Sequence, residues 1–124
     1  MNTNIVYKKL AYEIMVAAFE VHNTLGAGFL EKVYENALMI ALNKRGMKCQ
    51  QQALIKVKYE GTVVGEYFAD VLVNDSVVLE LKTVETITDV HRAQAINYLK
   101  ATGFRLAIII NFAKPKLEYK RIVV

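Results

Sequence analysis

The run Val77-Val78-Leu79-Glu80-Leu81-Lys82 reads as a buried β-strand, yet it carries a carboxylate and an ammonium two positions apart. Residues i and i+2 of a strand point to the same face, so Glu80 and Lys82 emerge side by side. Taking such charges out of water costs several kcal/mol unless they are paired or bind a metal. Either the strand lies at a sheet edge with Glu80 and Lys82 as a surface ion pair, or the fold supplies something for them inside. The triplet alone does not decide, because chance provides roughly one acid-x-Lys in a chain of this length.

With 124 residues the chain has room for one folding unit, residues 1–124, that buries most of its unfolded surface without staples. No repeat, linker or low-complexity tract divides it, and an apolar share of 54% leaves room for a buried interface, here expected as a homodimer. The net charge of +4 permits contact with phosphate. Cys49 has no second cysteine to pair with, and no charged segment followed by an apolar one opens the chain, which suggests a cytoplasmic protein. The apolar stretch from Leu106 to Ile110 is far short of the roughly 20 residues a membrane helix needs, so no membrane span is expected.

Apolar residues recur at three and four from Tyr7 to Leu25 and again from Leu30 to Lys44, predicting two amphipathic helices stopped by Gly26 and Gly46. The period then falls to two. Ile55, Val57 and Tyr59 alternate with Lys56 and Lys58, Glu60-Gly61 signals a turn, and a hairpin with one solvated face follows. Its second arm runs to Val73, turns over Asn74-Asp75-Ser76 and returns as the Glu80 strand. Thr88 or Asp89 caps a third helix that reaches Ala101, and two more strands span Leu106 to Asn111 and Leu117 to Val123. The predicted order is α-α-β-β-β-α-β-β, an α/β fold with helices flanking a mixed sheet.

Register decides whether Asp70 joins Glu80. A two-residue turn would face Asp70 away, whereas a three-residue turn over Asn74, Asp75 and Ser76 sets the two carboxylates opposite each other. The second register is the expectation here. Two such carboxylates repel unless a cation lies between them, and hard oxygen ligands with an open side suit Mg²⁺ or Mn²⁺.

On the third helix His91, Gln94, Ala95, Tyr98 and Leu99 share the side that should meet the sheet, with Arg92 and Lys100 opposite. Gln94 and Tyr98, one turn apart, could contact substrate or a metal-associated water, or could be a satisfied core amide and a core ring. His91 reads better as an ordinary helix histidine than as a ligand. In Gly28-Phe29-Leu30-Glu31-Lys32-Val33-Tyr34, a Gly28 N-cap would put Glu31 at the third helical position, where its carboxylate can cap the backbone. Otherwise Glu31 would point to Asp70 and Glu80.

Taken together, the GxxExxY stretch from Gly28 to Tyr34, Asp70, the Glu80-Leu81-Lys82 triplet, the Gln94-Ala95-Ile96-Asn97-Tyr98 segment and Asn111-Phe112 resemble the GxxExxY family of the PD-(D/E)xK nuclease superfamily. The likeness covers nearly the whole chain, with Ala69 standing where the superfamily often has proline. The resemblance implies a restriction-endonuclease-like core and metal-dependent hydrolysis of nucleic acid, DNA first, with little sequence specificity. It implies that Asp70 and Glu80 hold Mg²⁺ or Mn²⁺ with the Leu81 carbonyl and, through water, Glu31. Lys82 would then orient the attacking water, and Gln94 and Tyr98 would position water or phosphate. Lys8, Lys9, Lys44, Arg45, Lys56, Lys58, Arg92 and Lys100 are the candidates for phosphate contact, and no aromatic run marks a base-reading surface. A catalytically idle nucleic-acid or protein-binding module, and a purely structural domain with self-paired charges, are the other two readings. The intact Glu31, Asp70, Glu80, Lys82 and Gln94 speak against the idle module.

Overall fold

The switch from a three-and-four to a two-residue period falls where the backbone changes from helix to sheet in the computed structural model, which describes residues 7–124. Helices α1 (Lys8–Leu25) and α2 (Glu31–Lys44) precede strands β1 (Cys49–Tyr59), β2 (Thr62–Val73) and β3 (Val77–Lys82). Helix α3 (Asp89–Thr102) then leads to β4 (Leu106–Asn111) and β5 (Glu118–Val123), the expected order. The five strands lie side by side in chain order, and only β3 and β4, joined through α3, are parallel.

Alternation along the strands divides the core into two layers. Leu79, Leu81, Ile108 and Ile110 face α1 and α2, while Val78, Ala107 and Ile109 face α3 with Ala95 and Leu99. Strands β3 and β4 therefore read as continuous apolar runs because both of their faces are covered. Each fully buried Leu or Ile contributes about 1.5–3 kcal/mol of burial free energy against the entropy of ordering it.

The β1–β2 hairpin differs from the expected single solvated face. Beyond Val57 and Gly65 both faces are open, with Tyr59, Val63 and Val64 all exposed. The reason is length, because β1 and β2 have 11 and 12 residues against six in β3, so the ribbon outruns the helices.

The GxxExxY stretch is built differently from the expectation at its start. Leu30, not Gly28, is the N-cap of α2, and Glu31 is the first helical residue rather than a backbone cap. Gly28 holds φ +112°, a conformation that side chains disfavour, although a Cβ there would have space. Tyr34 closes the loop. Its hydroxyl donates to the Gly26 carbonyl and accepts from the Phe29 N–H, and its ring stacks on Phe112 at 4.6 Å. Tyr34→Phe keeps the stack but strips both hydrogen bonds inside the core. It is expected to cost about 1–3 kcal/mol, read as a lower melting temperature.

Candidate active site

Strands β2 and β3 pair in the three-residue-turn register, from Val73 opposite Val77 to Val71 opposite Leu79. Asp70 is the next residue toward Glu80, and there the ladder gives way. Instead of a backbone carbonyl, the Asp70 carboxylate accepts the Leu81 N–H at 2.7 Å. N–H and C=O of one strand residue point to the same side. The Leu81 carbonyl is therefore also turned toward β2, past the end of its pairing.

Glu80 lies on a central strand and is only 7% exposed, so the edge-strand reading of the triplet does not hold. It makes no ion pair with Lys82 within 4.0 Å among the described residues. Its Oε1 is buried with no hydrogen-bond partner among them. Burial first and the nearby Asp70 charge second push the Glu80 carboxyl up to about 8, with Lys82 opposing. Asp70 is also raised, mainly by burial, against the lowering effect of its Leu81 hydrogen bond. Glu31 is raised by burial first and by the Asp70 charge second. Helix α2 and strands β2 and β3 thus bring Glu31, Asp70, Glu80 and Lys82 within electrostatic reach of one another.

Two groups were not foreseen from sequence. Glu35, 3% exposed, lies one helical turn beyond Glu31 and accepts from Lys32 at 2.6 Å, from Gln51, and from Gln52 at 2.8 Å. Burial pushes this carboxyl up, but those hydrogen bonds outweigh it and leave it below the usual range. Gln52 also reaches Asp70 at 3.4 Å, and it does so from a left-handed backbone, φ +52°, that interrupts the β1–β2 ladder. Such a conformation costs of order 1–3 kcal/mol in a non-glycine residue. The available signal was Glu35 itself, an acid three residues before Leu38 in the buried stripe of α2.

Helix α3 supplies the other wall. Ala95 and Leu99 enter the core, whereas Gln94 stays exposed and lines a cleft with Tyr98, Asn97, Lys100, Tyr67 and Lys58. Burial, then the Glu80 and Asp70 charges, raise the Tyr98 phenol, so Tyr98 lies within electrostatic reach of the carboxylates. His91 instead serves the helix start, its Nδ1 accepting the Thr88 N–H at 3.0 Å. The loop after Lys82 is clamped by buried Asn111, which bonds both backbone groups of Val84 and also Glu118. Of the candidate basic residues, Arg45 is engaged with Glu13 and Glu20, away from the cleft. Burial pushes the Cys49 thiol up to about 11.

Among the described residues no three His, Cys, Asp or Glu side chains already close around one point. Asp70 and Glu80, the second raised by the charge of the first and left with a buried oxygen without a hydrogen-bond partner among the described residues, nevertheless form a hard-oxygen donor set with the Leu81 carbonyl. Mg²⁺ or Mn²⁺ accepts such a set while keeping several positions for water or phosphate.

A family model described as the PD-(D/E)XK nuclease superfamily matches residues 8–122. A crystal structure of SSO0001 superposes with a TM-score of 0.59 at 15% identity, over 97% of this chain and 60% of that one. An alkaline exonuclease from Laribacter hongkongensis gives a TM-score of 0.47 at 16% identity, over 74% of this chain and 55% of that one, too low to carry an argument. The chain thus spans about three-fifths of the length of these solved structures. A search of curated proteins finds no match.

Proposed function

The chain belongs to the PD-(D/E)XK nuclease superfamily, and on that premise we propose that it is a metal-dependent nuclease of the GxxExxY type, a single unit over residues 1–124, that hydrolyses DNA with low sequence specificity. The observation that carries this reading is the buried Glu80 oxygen, without a hydrogen-bond partner among the described residues, in the field of Asp70. A fold leaves such an oxygen unsatisfied at a cost of about 1–3 kcal/mol, a cost that a bound cation removes.

Asp70, Glu80 and the Leu81 carbonyl would hold Mg²⁺ or Mn²⁺, with Glu31 acting through water. Bound there, the ion supplies positive charge against the phosphate and makes the attacking water easier to deprotonate. The chain's own residues do the rest. Lys82, half-buried on the Glu80 face and without a side-chain partner among the described residues, orients the attacking water and favours its deprotonated form. Its ammonium also offsets the charge that builds on the phosphate oxygens. The water oxygen bonds to phosphorus, the ester P–O bond breaks, and the leaving oxygen takes a proton. Gln94 and Tyr98 position the water or the scissile phosphate from α3, and Gln52, anchored on Glu35, keeps Asp70 in place. Lys58 and Lys100 at the cleft wall are the cations best placed to meet the backbone of the strand.

The test is a panel of labelled single-stranded, duplex and four-way-branched DNAs, with RNA counterparts, in Mg²⁺ or Mn²⁺ and in EDTA. Cleavage of at least one DNA with either metal and none in EDTA is expected. Failure to cut any of them, with no rise in melting temperature on adding metal, would overturn the nuclease reading.

A further inference from the structure

No run of aromatic residues marks a base-binding surface in the sequence, but the fold assembles one from separate elements. Tyr67 on β2 and Tyr98 on α3 approach with ring centroids 5.9 Å apart and planes at 55°. Tyr67 pairs across the ribbon with Ile55, whose side chain enters the α3 layer of the core, so its ring rises on the α3 side of the sheet. It is 51% exposed, so part of the ring is open to solvent. The register shift between Val57 and Lys58 leaves Val64 of β2 as the extra residue, a bulge that strengthens the twist of the ribbon, and Val57 and Lys58 both line the cleft. The cleft between β1, β2 and α3 measures about 480 Å³, and Tyr67, Tyr98, Lys58, Lys100 and Asn97 are among the residues that line it.

We propose that this cleft takes one unstacked nucleobase of a single-stranded or frayed-end nucleic acid, laid against Tyr67 beside the carboxylates. The proposal rests on the nuclease reading and names its substrate class. A duplex hides its base faces in its own stack, so only an unpaired or splayed nucleotide can offer one to the ring. Base–aromatic stacking tolerates any base, and the Asn97 amide, both donor and acceptor, can meet different base edges. That fits a surface without a recognition helix. Lys58 and Lys100 lie where the flanking phosphates would pass, and Tyr98 joins the cleft to Glu80 and Asp70.

The experiment compares binding of a labelled oligothymidylate and a blunt duplex, each about 20 nucleotides long, by fluorescence anisotropy at low salt in EDTA. Wild type, Tyr67→Ala and Tyr67→Phe are measured, with cleavage in Mg²⁺ and Mn²⁺ run in parallel. Wild type should prefer the single strand, Tyr67→Ala should lose about tenfold in single-strand affinity, and Tyr67→Phe should stay within about twofold. The chain has seven tyrosines and no tryptophan, so the tyrosine emission quenched on binding should be smaller for Tyr67→Phe than for wild type. Because Tyr67 is half-exposed, all three proteins should melt alike. Equal affinity for single strand and duplex, or an unchanged Tyr67→Ala, overturns the cleft even if DNA is still cut. Tyr67-dependent single-strand binding, with no cleavage and no rise in melting temperature in either metal, upholds the cleft and overturns the nuclease reading instead.

Discussion

Replacing Lys82 with alanine is expected to lower metal-dependent cleavage by at least about 10²–10³-fold while leaving the melting temperature within about 2–3 °C. The two halves of this expectation have separate causes. Lys82 forms no ion pair within 4.0 Å and no side-chain hydrogen bond among the described residues, so removing it breaks no fixed contact. It does stand in the field of Glu31, Asp70 and Glu80, lowering all three, and is the positive charge common to them. An ammonium held near three acids without docking on any of them is available to a water or a phosphate. Cleavage rates at saturating metal, beside thermal melts of the same samples, check both halves. A Lys82→Ala protein that cuts at the wild-type rate would remove Lys82 from the mechanism.

The opposite trade is expected at Glu80. In metal-free buffer Glu80→Gln should raise the melting temperature at pH 8 by about 5–10 °C, on the order of a few kcal/mol. The sign follows from linkage. Folding pushes this carboxyl from an ordinary 4.5 to about 8, so between those values the folded state holds a proton that the unfolded state has released. Stability therefore falls as pH rises through that window, and the penalty is complete above about 8. Glutamine never ionises, so its advantage should be near zero at pH 4.5, grow with pH and level off above about 8. Adding Mg²⁺ or Mn²⁺ should stabilise wild type and not Glu80→Gln, and cleavage by the variant should be lost. Melts across pH, with and without metal, decide the matter. A lower melting temperature for Glu80→Gln at pH 8 would mean that Glu80 supports the fold as an anion.

Much of this architecture was legible from periodicity and punctuation. The two leading helices, the Glu60-Gly61 turn with both residues at positive φ, and the uninterrupted apolar runs of β3 and β4 follow from local rules. The register of β2 against β3 was legible too, since Asn74 and Asp75 both adopt the left-handed conformation and make a three-residue turn workable. The start of α2 was not. Gly28 was read as a cap, whereas its task is a backbone bend, and the helix waits until Tyr34 can anchor on Gly26 and Phe29.

Element order, sheet layering and the approach of Asp70 to Glu80 were therefore determined by the sequence itself, because side-chain period and turn length act between near neighbours in the chain. Only the tertiary structure decided that Glu35 and Gln52 stand behind Asp70, 17 to 35 positions away in sequence among themselves. It also decided that a Glu80 oxygen is buried without a hydrogen-bond partner among the described residues, and that Tyr67 meets Tyr98 at a cleft. Those relations depend on where the ribbon twists away from β3 and how α3 lies across the sheet. Such placements come from packing summed over the whole core, which no short window of residues encodes.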